Sequence, residues 1–248
     1  MVPHLQTALT GPLLALEQRI LDASTSIERW FRLRWQEHQA PIYCSVDLRN
    51  SGFKLAPVDT NLFPGGFNNL NPEFEPLCIQ AVQLAIERLD LRVDRILIVP
   101  ESHTRNLFYL ESVAILQEII EKAGFEVRIG SLLPDLDAPM SINLEGGRKL
   151  RLEPLQRKRD CLHVGGFTPD LVLLNNDLSG GRPAILEGLA QRVTPPLELG
   201  WSDRVKSSHF THYQAVAEEF CKHIGLDPWL INPHATIPMV AEQWNGYK

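Results

Sequence analysis

Apolar side chains recur along this chain at two spacings, one typical of strands and one typical of helices. Short apolar or alternating runs predict four strands, at residues 42–48, 95–99, 125–130 and 170–174. Apolar groups three and four residues apart predict helices at residues 13–38, 74–89 and 107–123. Strands that alternate with helices favour an α/β fold with a mainly parallel sheet flanked by helices, because each parallel connection needs a crossover.

Four further features complete the predicted fold. The first helix has Ser24-Thr25-Ser26 as the point where it could break. Residues 141–144 and 149–152 alternate on either side of two glycines, which predicts a small β-hairpin that makes an excursion from the sheet. Residues 182–193 predict a short helix, and a last helix is predicted to begin at a Ser202-Asp203 cap.

The longest segment without a predicted helix or strand, residues 49–69, is rich in polar groups. Its candidate substrate-binding side chains are Arg49, Lys54, Asp59, Asn61, Asn68 and Asn69. Prolines such as Pro57 and Pro64 argue against regular structure, whereas Phe53 and Phe63 supply apolar anchors that a disordered linker lacks. We interpret the segment as a working loop that binds a polar substrate, with a purely structural loop as the alternative.

Two shorter polar loops directly follow predicted strands. Their candidate binding residues are Ser102, His103, Arg105, Asn176 and Asp177. Because the carboxyl ends of parallel strands share one edge of a sheet, all three loops are predicted to lie on one rim, where Arg49, Arg105 and Asn176 converge. A hydrogen-bonded structural role for His103 is the alternative to acid–base chemistry. Turn capping by Asn176 and Asp177 is the alternative to binding an ammonium or amide group.

The predicted start of the last helix is cationic, although the helix dipole favours acidic groups there. Arg204, Lys206 and His209 lie in this region. An anion partner, either a phosphate or a substrate carboxylate, would offset the unfavourable charge. Simple solvation of these side chains is the alternative.

Composition excludes several classes of function. Of the 248 residues, 44% are hydrophobic and 22% are charged, and the formal net charge of -6 argues against nucleic acid as a partner. No apolar run approaches the ~20 residues of a membrane helix, and no signal peptide is visible. The four cysteines are scattered without a CxxC pair, so we expect no metal site and a chain with reduced thiols in the cytoplasm.

Four sequence strings carry a family resemblance. They are SVDLRNSGFKLAPVDTNLFPGGFNNLNP (45–72), PESHTRN (100–106), VLLNNDLSGG (172–181) and LGWSDRVKSSHF (199–210). The chain closely resembles the proteobacterial type of glutamate-cysteine ligase (gamma-glutamylcysteine synthetase), the first enzyme of glutathione synthesis. The resemblance covers residues 1–233, and residues 234–248 depart from it, so we expect an aberrant or disordered tail there.

The resemblance implies a fold and an activity. The family joins a leading, pre-ATP-grasp-like α/β region to an ATP-grasp body, and we expect that body to be absent from a truncated chain. ATP and Mg²⁺ are implied as cofactors, with their binding groups expected outside this chain. L-glutamate, L-cysteine and ATP are the implied substrates, and a homo-oligomer is a further possibility. The alternative is a non-catalytic α/β amino-acid-binding fragment without ligase activity.

Roles for the candidate residues follow from their chemistry, while the catalytic residues stay unknown. Arg49, Lys54 and Arg105 suit carboxylates, because their charged donors bind carboxylate oxygens. Asp59 or Asp177 suits an ammonium group. The remaining amides are expected to orient the substrate: Asn61, Asn68, Asn69 and Asn176.

Overall fold

A computed structural model of the chain describes residues 11–89, 92–102 and 105–233. Its helices and strands follow in this order: α1 Gly11–Asp22, α2 Ser24–Glu37, β1 Ser45–Asn50, β2 Leu55–Asn61, α3 Glu75–Glu87, β3 Arg95–Pro100, α4 Leu107–Lys122, β4 Glu126–Ser131, β5 Met140–Asn143, β6 Lys149–Pro154, β7 Gln156–Lys158, β8 Cys161–His163, β9 Leu171–Asn175, β10 Arg192–Thr194 and α5 Lys206–Ile224. The chain divides into two compact units.

The larger unit, formed by Pro41–Ser45 and Asn61–Asp203, contains a six-stranded sheet. Its strand order is β10-β9-β3-β4-β6-β5. Neighbouring strands are parallel except β5 and β6, which are antiparallel. The predicted α/β fold with a mainly parallel sheet is therefore confirmed.

Both faces of this sheet are buried, which explains the continuous apolar runs of its central strands. In β3, Ile96 and Ile98 belong to one hydrophobic cluster, whereas Leu97 and Val99 belong to another. Successive strand residues point to opposite faces, so each cluster covers one face of the sheet. Burial of a side chain of this size contributes about 1.5–3 kcal/mol, and the central strands thus position the loops at their ends.

The smaller unit combines the described parts of Met1–Ala40 and Arg204–Lys248 with Val46–Thr60. The rings of Trp30 on α2 and Phe220 on α5 lie 5.3 Å apart, edge to face. The predicted break in the first helix is confirmed, because α1 ends at Asp22 and α2 begins at Ser24. Helices α2 and α5 thus form a packed pair.

The strand predicted at residues 42–48 does not join the main sheet. It forms as β1, which pairs with β2 in a separate two-stranded sheet. Five of the six β1 residues are exposed, whereas a strand inside a parallel sheet needs apolar side chains on both faces. The prediction that four strands share one sheet is therefore wrong for this segment.

Strand β2 also corrects the prediction that residues 49–69 lack regular structure. Its residue Ala56 is buried, and Pro57 lies within the strand. A proline is tolerated in a two-stranded sheet, because an edge strand has N–H positions that need no partner. The predicted loop is thus shorter and begins after Asn61.

The predicted hairpin is confirmed as β5 and β6, but its predicted excursion from the sheet is wrong. Strand β6 pairs in parallel with β4, and β5 pairs with β6 at the edge. The hairpin extends the sheet because alternate residues of β6, Leu150 and Leu152, join the core.

The short helix predicted at residues 182–193 does not form. The segment contains a single 3-10 turn at Ala184–Leu186, followed by β10. The Arg157 guanidinium donates to the carbonyls of Ile185, Glu187 and Gly188 at 3.2, 2.5 and 3.2 Å. An α-helix would need these carbonyls for its own hydrogen bonds.

The predicted Ser202-Asp203 cap is also wrong. Helix α5 begins at Lys206, and its N-cap residue, Val205, makes no side-chain cap bond. The Asp203 carboxylate instead accepts hydrogen bonds from Arg182 Nε and Ser202 Oγ, both at 2.8 Å. This ion pair lowers the Asp203 pKa, with the Arg182 hydrogen bond as the largest cause.

Within residues 11–89, 92–102 and 105–233, no helix is long and apolar enough to cross a membrane.

Candidate functional site

The carboxyl edge of the parallel sheet brings two of the predicted loops together. The register aligns Pro100, the last residue of β3, with Asn175, the last residue of β9. The polar residues that follow each strand therefore start side by side in the larger unit. Ligands of open α/β sheets commonly bind at such an edge.

A buried hydrogen-bond network centred on Tyr109 fixes this edge. The Tyr109 hydroxyl lies 2.5 Å from Asn175 Oδ1 and 3.0 Å from the Asn175 carbonyl, and it accepts a 2.8 Å hydrogen bond from the Glu101 amide. The Asn175 amide group in turn donates to the Pro64 carbonyl. The Tyr109 and Asn175 side chains thus connect helix α4, the ends of β3 and β9, and the loop that contains Pro64.

Burial raises the pKa of Tyr109 well above its ordinary value, so the hydroxyl is a neutral donor at physiological pH. Sequence analysis missed both Tyr109 and Asn175. A signal for Asn175 was available, because a polar residue ends an apolar strand there. Tyr109 carried a weaker signal, as the third residue of a helix capped by Asn106, whose Oδ1 accepts from the Tyr109 amide at 3.1 Å.

Asn176 and Asp177 take part in turn capping. Asn176 Oδ1 accepts from the Leu178 amide and Asp177 Oδ1 accepts from the Ser179 amide, both at 2.9 Å. Leu178 has a positive φ of 58° and is buried, so these contacts hold an unusual backbone in place. Each side chain keeps one further polar atom, and a substrate role stays a prediction.

The other predicted residues of the 100–106 loop lie at the surface. Ser102 and Arg105 are exposed. His103 lies outside the described residues, so its predicted role stays a prediction.

The asparagines predicted as substrate ligands have different surroundings in the larger unit. Asn61 Oδ1 accepts from the Phe63 amide at 3.0 Å, which is a local turn contact. Asn69 is exposed. Asn68 Oδ1 is buried and has no hydrogen-bond partner among the described residues, so Asn68 is the asparagine with the most reason to bind a ligand.

In the smaller unit, the cationic start of α5 meets strand β2. Lys206 Nζ lies 2.7 Å from Asp59 Oδ2, and Arg204 Nη2 donates to the Thr60 carbonyl at 2.8 Å. His209 Nε2 lies 2.9 Å from Thr60 Oγ1. A carboxylate of the protein itself, Asp59, therefore lies where the sequence predicted a substrate anion.

Burial lowers the pKa of His209, and the nearby Arg204 charge lowers it further. The imidazole is therefore neutral at physiological pH. Its contact with Thr60 makes it a structural link between β2 and α5.

Lys54 has the least expected surroundings of the predicted residues. Only 8% of the residue is exposed, and its Nζ has no hydrogen-bond partner among the described residues. The ammonium lies 4.9 Å from the centre of the Trp229 ring. It borders a pocket of about 370 Å³ in the smaller unit, which is lined by Arg49, Ser51, Lys54, Ala56, Val58, Phe210 and Pro233.

The predicted convergence of Arg49, Arg105 and Asn176 stays a prediction. Arg49 belongs to the smaller unit, whereas Arg105 and Asn176 belong to the larger one. What the structure does bring together is Arg49 with Lys54 around one pocket.

Acidic and metal-binding side chains are dispersed over the part of the chain that the structure describes. That part holds no group of three or more His, Cys, Asp or Glu side chains that could bind a metal ion. Its four cysteines are all free thiols.

Comparison with known proteins identifies the family of the chain. The sequence profile of the glutamate-cysteine ligase family, GshA, matches residues 17–240. The structure superposes with a TM-score of 0.88 and 58% identity on a crystal structure from Methylobacillus flagellatus KT, whose protein is provisionally assigned as a gamma-glutamylcysteine synthetase. The match covers 94% of this chain and 55% of that one, so the chain spans about half the length of this relative.

No curated protein sequence matches the chain significantly. The family profile nevertheless covers most of the chain, and the solved relative shares its fold over nearly all of it. The chain belongs to the glutamate-cysteine ligase family.

Proposed function

We propose that this chain acts in a ligase that joins the γ-carboxylate of L-glutamate to the amine of L-cysteine with the consumption of ATP. The observation that carries the proposal is the 58% identity over 94% of the chain with the M. flagellatus protein. Family membership over residues 17–240 supports the same reaction.

The cofactors of the proposal, ATP and Mg²⁺, come from the family alone. Activating a carboxylate as an acyl phosphate requires metal and cations to neutralise phosphate charge. The described residues contain no group of three or more His, Cys, Asp or Glu side chains that could hold a metal ion. We therefore assign the residues of this chain to substrate binding and derive no step through the nucleotide or the metal.

For substrate binding, cationic residues are proposed to hold carboxylates and amides to orient the amino acids. Arg49 and Lys54 line one pocket, and Arg105 is exposed at the carboxyl edge of the sheet. Asn68 has an unused buried oxygen, which can accept a hydrogen bond from an ammonium group.

The direct test is synthesis of γ-glutamylcysteine by the purified chain. Glutamate, cysteine, ATP and Mg²⁺ are supplied, ADP release is followed by a coupled assay, and the dipeptide is detected by mass spectrometry. Cysteine-dependent ADP release with dipeptide formation is the result that would support the ligase proposal for this chain. ADP release that does not depend on cysteine would contradict the proposal.

A non-catalytic amino-acid-binding protein is the second candidate. The pocket lined by Arg49 and Lys54 favours it, because two cationic side chains can bind a carboxylate without any catalysis. Calorimetric titration separates the two candidates, because this second protein would bind glutamate and yet release no ADP when cysteine and ATP are present.

We also propose a reducing compartment, the cytoplasm, for this chain, on the support of its four free cysteines. Self-association is a further proposal. The apolar side chains of Leu33 and Trp35 on α2 are 50% and 57% exposed, and sedimentation at increasing concentration measures whether they promote self-association.

A further inference from the structure

We propose that Lys54 and Arg49 form a carboxylate-binding site in the smaller unit, and that its ligand is the α-carboxylate of the amino-acid substrate. The inference rests on the proposed function for the identity of the amino acid. The site itself rests on the surroundings of Lys54.

A buried ammonium without a hydrogen-bond partner is an unfavourable state for a protein. Lys54 is 8% exposed, and none of its three N–H donors is used among the described residues. Removing an ammonium from water is strongly unfavourable unless a partner replaces the lost hydration. An anion that enters the pocket would supply that partner.

Trp229 compensates only part of the free energy that the Lys54 ammonium loses on removal from water. The Lys54 ammonium lies 4.9 Å from the ring centre, a favourable cation–π distance. Phe53 stacks on the same tryptophan with ring centres 5.7 Å apart and planes 6° from parallel. The aromatic pair therefore holds the lysine in place, while the face of a ring accepts no conventional hydrogen bond from its N–H groups.

Arg49 adds a second cation to the same pocket. It is exposed, and no carboxylate among the described residues forms an ion pair with it or with Lys54. Asp59 of β2 forms an ion pair with Lys206, and this pair includes neither Lys54 nor Arg49. One deep ammonium and one outer guanidinium match the two oxygens of a carboxylate.

The remaining walls favour an amino acid over a phosphate group. Ala56, Val58 and Phe210 contribute apolar surface, which suits the methylene groups of a short aliphatic chain. Phosphate sites in proteins usually present several backbone N–H groups from a helix N-terminus or a glycine-rich loop. This pocket is lined instead by one face of a hairpin and by Phe210, which lies inside α5.

The site suits the α-carboxylate because that group does not react. In the proposed reaction the γ-carboxylate must reach the phosphate donor and the cysteine amine, whereas the α-carboxylate serves only to hold the substrate. A buried cation is well placed for such fixed binding, since it loses little conformational freedom when the ligand arrives.

The test is calorimetric titration of the full chain with three ligands. L-glutamate and L-glutamine share the α-carboxylate, whereas 4-aminobutyrate is glutamate without it. We expect L-glutamate and L-glutamine to bind. The affinity for 4-aminobutyrate should be lower by about 10- to 100-fold, because that ligand cannot make the charge-assisted contact of the α-carboxylate. Equal binding of 4-aminobutyrate and glutamate would overturn the assignment, and so would the absence of any glutamate binding at millimolar concentration.

Lys54→Met is the decisive variant. Methionine keeps the length of the side chain and packs well on tryptophan, so the fold should survive, and circular dichroism verifies this. Glutamate affinity should fall by about 10- to 100-fold, and Arg49→Gln should cause a smaller loss because Arg49 is exposed. Lys222→Met is the matched control, since Lys222 is an exposed lysine of the same unit outside the pocket.

Two outcomes keep the site and the proposed function apart. Unchanged glutamate binding in Lys54→Met would overturn the site and leave the ligase proposal standing. Glutamate binding that depends on Lys54 without any dipeptide formation would support the site and count against the ligase.

A titration with inorganic phosphate tests the choice of a carboxylate as the ligand. Phosphate that binds more tightly than glutamate, in a manner that depends on Lys54, would overturn that choice.

Discussion

The Tyr109 hydroxyl and the Asn175 side-chain oxygen lie 2.5 Å apart at the point where β3 and β9 end. Through this pair, the start of α4 is linked to the carboxyl edge of the sheet. The Pro64 carbonyl joins the same network through the Asn175 amide group. The edge that carries Asn176 and Asp177 is therefore fixed before any ligand binds.

Replacing Tyr109 with phenylalanine should destabilise the protein by about 1–3 kcal/mol, because buried polar groups of Asn175 and Glu101 lose their partner. Tyr43→Phe is the matched variant, since its hydroxyl makes one hydrogen bond, to the Gly65 carbonyl at 2.6 Å. Urea unfolding measures the loss of stability in each of the two variants. A cost for Tyr109→Phe no larger than that for Tyr43→Phe would contradict a central role for this network.

His209 should make the free energy of unfolding depend on pH. Its pKa in the folded protein is lowered below the ordinary value of 6.5, so the unfolded chain binds a proton more readily. The stabilising contribution is complete above pH 6.5 and is lost as the pH falls through the lower folded value.

The variant His209→Gln keeps a hydrogen-bonding group near Thr60 but cannot take up a proton. The fall in stability as the pH drops below 6.5 should be shallower than in the wild type. Urea unfolding at several pH values measures this, with His38→Gln, an exposed histidine of the same unit, as the control. Identical pH dependence in wild type and His209→Gln would show that the burial of His209 has no energetic consequence.

The ion pair of Lys206 and Asp59 should contribute little despite its 2.7 Å distance, because the two side chains are 53% and 39% exposed. A double-mutant cycle with Lys206→Met and Asp59→Asn is expected to give a coupling of about 0.2–1 kcal/mol that weakens in high salt. A salt-independent coupling above this range would indicate a pair shielded from water.

Arg157 should stabilise the segment from Ile185 to Gly188, whose carbonyls it binds. Arg157→Gln is expected to cost about 1–2 kcal/mol in unfolding free energy, a modest value for several bonds at an exposed site. It should also speed proteolysis in this segment. Lys158→Gln, an exposed neighbour, is the control, and equal proteolysis rates in the two variants would refute the proposed role of Arg157.

The sequence by itself determined the central architecture. The runs that became β3 and β9 are apolar at successive positions, and such runs are stable only when both faces of the strand are buried. Helical spacing similarly indicated α3 and α4. The same strings of residues carried enough information to indicate the family.

Only the tertiary structure decided features that depend on partners distant in sequence. Strand β1 lies outside the main sheet because its exposed residues cannot cover a second face. The segment at residues 184–188 is not helical because Arg157, from strand β7, binds carbonyls of this segment. Local propensity cannot predict the position of β1 or the conformation of residues 184–188, since each depends on what packs against the segment.

For the candidate site too, the sequence indicated the chemistry of the residues and the tertiary structure decided their surroundings. Sequence chemistry selected Lys54 and Arg49 as carboxylate ligands, because their charged donors are suited to that task. Their shared pocket, and the burial of Lys54 against Trp229, arise only when β2 and the 3-10 turn at Pro228–Leu230 come together. A lysine is ordinarily solvated, so a sequence cannot indicate that its ammonium is dehydrated until the residues that exclude water are in place.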